Sequence, residues 1–214
     1  MRTILRAIRP DDRRSVIDAF KDADRESIYT RFFAYKKSLS DAELSDLTEV
    51  DFDRVVALVA TTRIGDREIL IAGGRYIVSE SASGERTAEL SFMTRDDYRG
   101  QGVARLLLAH LASIAQQCGI QRLEAVVLPE NTAMLSVFRG SGLPVEMARE
   151  DGTVHVQIRL RESAGRSPVA SAKISELQPP SDDGARLREA RVLNPASTVS
   201  ASKVSGSKAT DGTD

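Results

Sequence analysis

A turn of four residues, Arg99-Gly100-Gln101-Gly102, separates a strand-like run from the most regular helix in this chain. Few local features restrict a fold as much. Glycine has no Cβ, so the chain turns tightly there and a ligand can come close to the main chain. In the helix that follows, Val103, Leu107, Leu111, Ile114 and Cys118 form one apolar stripe, and Gly119 stands where a helix C-terminus favours glycine. The first helical N–H groups have no partner inside the helix and point into the turn. With the helix dipole they make an anion site suited to a pyrophosphate, with Arg99 adding positive charge on the rim. Spacing alone also allows a simple tight turn. A dinucleotide fingerprint needs a third glycine, but position 105 is Arg, and Arg95 to Tyr98 part the strand from the first glycine. A Walker loop needs Gly-Lys-Ser/Thr, which is absent. The turn therefore suits a phosphate-bearing cofactor of another kind.

The rest of the pattern predicts an α+β domain. Residues 3–8 alternate as a first strand, and Pro10-Asp11-Asp12 opens a helix carrying Val16, Ile17 and Phe20. Short helices are expected at 26–35 and 40–47, the second with a capping box at Ser40 to Glu43. Strands are expected at 54–61, 68–79, 86–94 and 122–128, and a helix at 131–139. A hairpin of 143–149 and 154–160 closes around Asp151-Gly152, with Val154, Val156, Ile158 and Leu160 on one face. Strict strand–helix alternation is missing, so the sheet is mixed rather than parallel.

Composition bounds the function. Thirty basic and 31 acidic side chains nearly cancel, so no whole-protein field exists to attract nucleic acid or acidic membrane. One cysteine and two histidines leave no disulfide framework and no ordinary metal centre. The longest apolar run, Val55 to Ala60, is too short for a bilayer, and the charged N-terminus does not read as a secretory signal. A cytoplasmic home is the expectation. The aromatic residues all lie between Phe20 and Phe138, and the stretch after Arg161 is rich in Ser, Pro and Ala. Residues 1–161 are therefore read as the folded domain and 162–214 as a disordered, low-complexity tail.

On these residues the chain resembles the GNAT superfamily of acyl-CoA-dependent N-acetyltransferases. Arg99, Gly102 and Ala104 match that family's phosphate loop, Gln/Arg-x-x-Gly-x-Gly/Ala, and Asn131, Met134 and Gly142-Leu143 resemble its later segment, with Leu143 in place of the usual Phe. A narrower likeness, carried by Glu26 to Phe33 and Leu47 to Ala60, is to the GNAT domain of bacterial protein-lysine acetyltransferases. The likeness covers roughly residues 3–160.

The resemblance implies a mixed, mostly antiparallel sheet flanked by helices, with acetyl-CoA as acyl donor and no metal. The acceptor would be an amine: a protein lysine, with acyl-CoA synthetases as natural targets, or a small molecule. A non-catalytic acyl-CoA-binding module is the third reading. Glu89, in Ala88-Glu89-Leu90, is the expected general base. A lysine amine is almost fully protonated at neutral pH, and a half-buried carboxylate can take its proton directly or through a water. The cofactor's phosphates would lie on Arg99, Gly100, Gln101, Gly102, Val103 and Ala104, and its pantetheine arm beside Phe92, Met93 and Thr94. Asn131 is either a cofactor contact, a helix N-cap, or both. Asp51 and Asp53 either draw an ammonium toward the site or form a solvated strand start. Arg31 and Phe33 would border the acceptor groove. Where many relatives carry a tyrosine acid, this chain has Phe138, so the leaving thiolate takes its proton from solvent or from the substrate ammonium.

Overall fold

The computed structural model describes residues 2–22, 37–80 and 84–160. The helix expected at 26–35, with Arg31 and Phe33, and the tail expected at 162–214 lie outside the described residues. Seven strands form one sheet: β1 (Thr3–Ala7), β2 (Val55–Ile64), β3 (Arg67–Glu80), β4 (Arg86–Thr94), β5 (Arg122–Val127), β6 (Val145–Glu150) and β7 (Thr153–Arg159). Their spatial order is β1-β2-β3-β4-β5-β7-β6, and only the β4–β5 pair is parallel. The mixed, mostly antiparallel sheet is the one the sequence predicts. Among the described residues, four α-helices cover it: α1 (Arg13–Lys21), α2 (Asp41–Thr48), α3 (Val103–Gln117) and α4 (Thr132–Arg139).

Several elements run longer than their hydrophobic runs suggest. β2 continues through Ile64 and β3 begins at Arg67, so Gly65-Asp66 is a two-residue hairpin rather than a loop. Cross-strand pairing carries the polar and exposed ends of both strands. Opposite Ala60 and Thr61, β3 holds one extra residue, Ile71, a bulge that bends the strand. Before α1, Pro10–Asp12 is a single 3-10 turn rather than the start of the helix.

The two faces of the sheet bury different cores. Beneath α3 and α4, Leu107, Leu111, Leu123, Tyr76 and Ile158 are fully buried. Each aliphatic side chain there contributes roughly 2 kcal/mol of apolar burial. On the opposite face a smaller cluster joins Ile8 and Ala19 to Ala57, Val59 and Leu70. Alternation along β4 assigns its residues accordingly: Ala88 and Leu90 enter the first core, while Glu89, Ser91 and Met93 face the other way.

Candidate active site

The sheet opens at its one parallel pair. β4 and β5 are matched only at Thr87–Arg122, Ala88–Leu123 and Glu89–Glu124. Beyond Glu89, β4 runs on to Thr94 with its other edge still paired to β3, and β5 runs on to Val127 with its other edge paired to β7. The two strands thus form a fork with Glu89 on its last shared rung. Along the inner edge from Leu90 to Thr94, backbone groups have no β5 partner and can receive an extended ligand as a strand would.

Phe92 stands inside this fork, held by its neighbours. Its ring lies edge-on to Phe138, with centroids 6.2 Å apart at 70°. On β3, Gly74 is its register partner, and a Cβ there would come within 2.9 Å of the Phe92 ring and 3.2 Å of Leu111 Cδ1. Gly74 is thus needed for close approach. Phe138 is only 1 % exposed and belongs to the core.

From β4 the chain passes through a 3-10 turn, Asp96–Tyr98, into Arg99-Gly100-Gln101-Gly102. Gly100 and Gly102 have φ of 72° and 81°, left-handed values that favour glycine, and Gly102 is the N-cap of α3. Leu106 N–H is the first bonded back to the Gly102 carbonyl, at 3.0 Å. The turn is braced from within: Gln101 Nε2 donates to the Asp97 carbonyl at 3.1 Å, and Arg99 pairs with Asp96 at 2.8 Å. Val103, Ala104 and Arg105 come before that first helical bond, where N–H groups have no acceptor within the helix.

Asn131 caps α4, its Oδ1 accepting from Met134 N–H at 3.1 Å. This is the N-cap reading, and it leaves the side-chain amide nitrogen for other partners. Asp51 Oδ1 accepts three backbone N–H groups, from Asp53, Arg54 and Val55, at 3.1, 2.9 and 2.8 Å. Asp53 is exposed just before β2. Met93 and Ser91 line a cavity of about 90 Å³ between the sheet and the α1–α2 side, with Phe20, Leu47, Arg75 and Arg95 among its other walls. Among the described residues, no three His, Cys, Asp or Glu side chains gather as a metal site. No helix there is long and apolar enough to cross a membrane.

Two charged residues escaped the sequence reading. Glu124 shares the fork's last rung with Glu89 and takes a 2.8 Å hydrogen bond from Arg122. Arg75 sits within β3, opposite Ser91 and one diagonal step from Glu89 on the same face. The signal for Arg75 was available: a lone cation amid Gly73-Gly74 and Tyr76-Ile77, a stretch otherwise read as apolar strand.

A sheet forked beside a glycine-turned helix start is the frame of a class of acyl-transferring enzymes. Residues 2–144 match the family described as Acetyltransferase (GNAT) domain, and the chain belongs to these GNAT acetyltransferases, which act with acetyl-CoA. It is similar to the GNAT domain of S. lividans PAT, at 35% identity and a TM-score of 0.64, covering 73% of this chain and 89% of that one. Acetyltransferase Pat of Mycolicibacterium smegmatis is 30% identical over 156 residues, which are 72% of this chain and 44% of that protein. Acetyltransferase PA5475 of Pseudomonas aeruginosa is 28% identical over 154 residues, 70% of this chain and 79% of its own length. The chain thus spans less than half the length of the mycobacterial relative.

Proposed function

We propose that this chain transfers the acetyl group of acetyl-CoA to the ε-amine of a protein lysine, with Glu89 as general base. The observation that carries the reading is the place of Glu89, a carboxylate on the last rung before β4 and β5 part. Acetyl-CoA would lie in the fork, its diphosphate on the amides of residues 99–104 and its pantetheine arm along Phe92 to Thr94. The amine would arrive from the face that Glu89 shares with Ser91 and Met93. Glu89 takes a proton from the ammonium, directly or through one water. The freed nitrogen lone pair attacks the thioester carbonyl carbon, and a main-chain N–H of the unpaired β4 edge stabilises the oxyanion. The C–N bond forms and the C–S bond breaks; the attacking nitrogen sheds its second proton, which the leaving thiolate takes directly or through solvent, since Phe138 has no proton to give. Holding the two reactants in line supplies much of the rate.

The choice of protein lysine rests on the likeness of residues 26–33 and 47–60 to bacterial protein-lysine acetyltransferases, and acyl-CoA synthetases are the targets that likeness suggests. A small amine is the alternative acceptor. Incubating the full chain with labelled acetyl-CoA and two panels, purified proteins and small amines, separates them. Label on protein lysines is the expected result. Label on small amines alone would overturn the lysine assignment, and no CoA release with any amine would overturn transferase activity altogether.

A further inference from the structure

Arg75 is an expensive residue to place within a buried strand, and nothing in the phosphate site or the core requires it. Its Nη1 donates to the backbone carbonyl of Asp46, at the α2 side, at 3.1 Å. Its Nε is buried without a hydrogen-bond partner, so the charge is only partly neutralised. Opposite it in the β3–β4 register is Ser91, and Glu89 is the next residue on that face. Diagonal neighbours on one sheet face lie within reach of long side chains.

We propose that Arg75 is a positioning residue for the Glu89 base: its guanidinium, anchored by the Asp46 carbonyl, keeps the carboxylate ionised and oriented at the mouth of the fork. The inference rests on Glu89 acting as the base.

A second carboxylate opposes the charge on Glu89. From β5, Glu124 faces it on the same rung, with its own charge engaged by Arg122 at 2.8 Å; Arg122 also binds Glu85 at 3.1 Å. From the α2 side, Asp46 adds a second carboxylate that acts on Arg75. Among the described residues, Arg75 is the cation set between these acids on the β3 side. Burial pulls the Arg75 guanidinium below its ordinary value, and Asp46 and Glu89 restore part of that loss. Such an attraction is mutual, so Arg75 favours the charged form of Glu89 by the same interaction. A base must be unprotonated before substrate arrives. Half-burial and a neighbouring carboxylate both oppose this, and a guanidinium one step away offsets them.

The test is a titration of the Glu89 side-chain carboxyl by ¹³C NMR on the full chain, with the resonance assigned by its loss in Glu89→Gln. Arg75→Gln keeps an amide donor for the Asp46 carbonyl but removes the charge, whereas Arg75→Lys keeps the charge. The expected result is a wild-type midpoint below neutrality, moved up by about one pH unit in Arg75→Gln and nearly restored in Arg75→Lys. An unmoved midpoint in Arg75→Gln would overturn the proposal. If that variant does not fold, a wild-type midpoint more than about one pH unit above the ordinary glutamate value of about 4.3 overturns it, and one near that value, despite half-burial and Glu124, supports it. The acid limb of kcat/KM, measured with acetyl-CoA and a lysine-containing peptide, should move with the carboxyl. A moved carboxyl with an unmoved limb would instead overturn the role of Glu89 as base.

Discussion

Arg6 holds Asp12 in a forked ion pair, Nη1 to Oδ2 at 2.7 Å and Nη2 to Oδ1 at 2.8 Å. The pair ties β1 to the 3-10 turn before α1, and the Arg9 N–H adds a third hydrogen bond to Oδ2 at 2.8 Å. Glu68, on β3, accepts from the same guanidinium at 2.9 Å. Both partners of the pair are mostly shielded, so the geometry is better than that of an ordinary surface bridge.

The pH dependence of stability follows from that cluster. Burial pushes the Asp12 carboxyl up, but the Arg6 and Arg9 hydrogen bonds outweigh it and hold it below its ordinary value of 3.8. A carboxyl depressed on folding stabilises the protein above its unfolded pKa, and that stability is lost as pH falls through the folded value. Urea melts should therefore show stability level from neutrality to about pH 5 for this site and falling below about pH 4. Asp12→Asn should cost about 2 kcal/mol at neutral pH and flatten the acid dependence. Equal acid sensitivity in wild type and variant would place the transition elsewhere.

Gly74→Ala tests how tightly the fork is packed. The new methyl would press on the Phe92 ring and on Leu111 Cδ1, both backed by core. Overpacking of this kind costs about 1–3 kcal/mol, or turns Phe92 off its edge-on contact with Phe138. Thermal unfolding reads the first effect. Calorimetry with acetyl-CoA reads the second, as weaker binding if Phe92 lines the pantetheine path.

Gly102 separates backbone cost from ligand cost. Its φ is +81°, and no atom lies within 4 Å of the position a Cβ would take, so a side chain there meets strain but no clash. Gly65 has a similar φ of +60° and equally open surroundings, in the β2–β3 hairpin. Gly102→Val and Gly65→Val should each lose about 1–2 kcal/mol of stability. Only the Gly102 variant should weaken acetyl-CoA, by roughly tenfold or more, since it alone crowds the helix-start amides. Equal acetyl-CoA affinity in the two variants would remove the glycine turn from the cofactor site.

How much of this was legible depends on the range of the forces involved. The α3 stripe, the Ser40–Glu43 capping box and the β6–β7 hairpin are local patterns, and all three are present. The fork was not legible as geometry, because it depends on Glu89 meeting Glu124 across a helical crossover and on β4 outrunning that pairing. No sequence window contains both strands. Arg75 was missed for a related reason: in a strand read by alternation a cation defaults to solvent, and its enclosure comes from helices folding against that face. Ile64 and Arg67 read as loop because exposed hairpin ends carry no hydrophobic period, yet cross-strand bonds make them strand.

Asp51 distinguishes two uses of an exposed carboxylate. One oxygen already accepts three consecutive backbone N–H groups, at the point where Phe52 takes a positive φ of 56° before β2 begins. Those amides lose their shared acceptor in Asp51→Ala, which should cost about 1–2 kcal/mol. Asp51→Asn keeps an oxygen in place and should recover most of that loss. The charge is the only thing Asn removes, which makes the acceptor KM of Asp51→Asn the deciding number. Three amide dipoles already converge on the carboxylate, so its field at a distance is reduced and KM should stay within about twofold of wild type. A large rise in KM at undiminished thermal stability would instead give Asp51 the task of drawing in the ammonium.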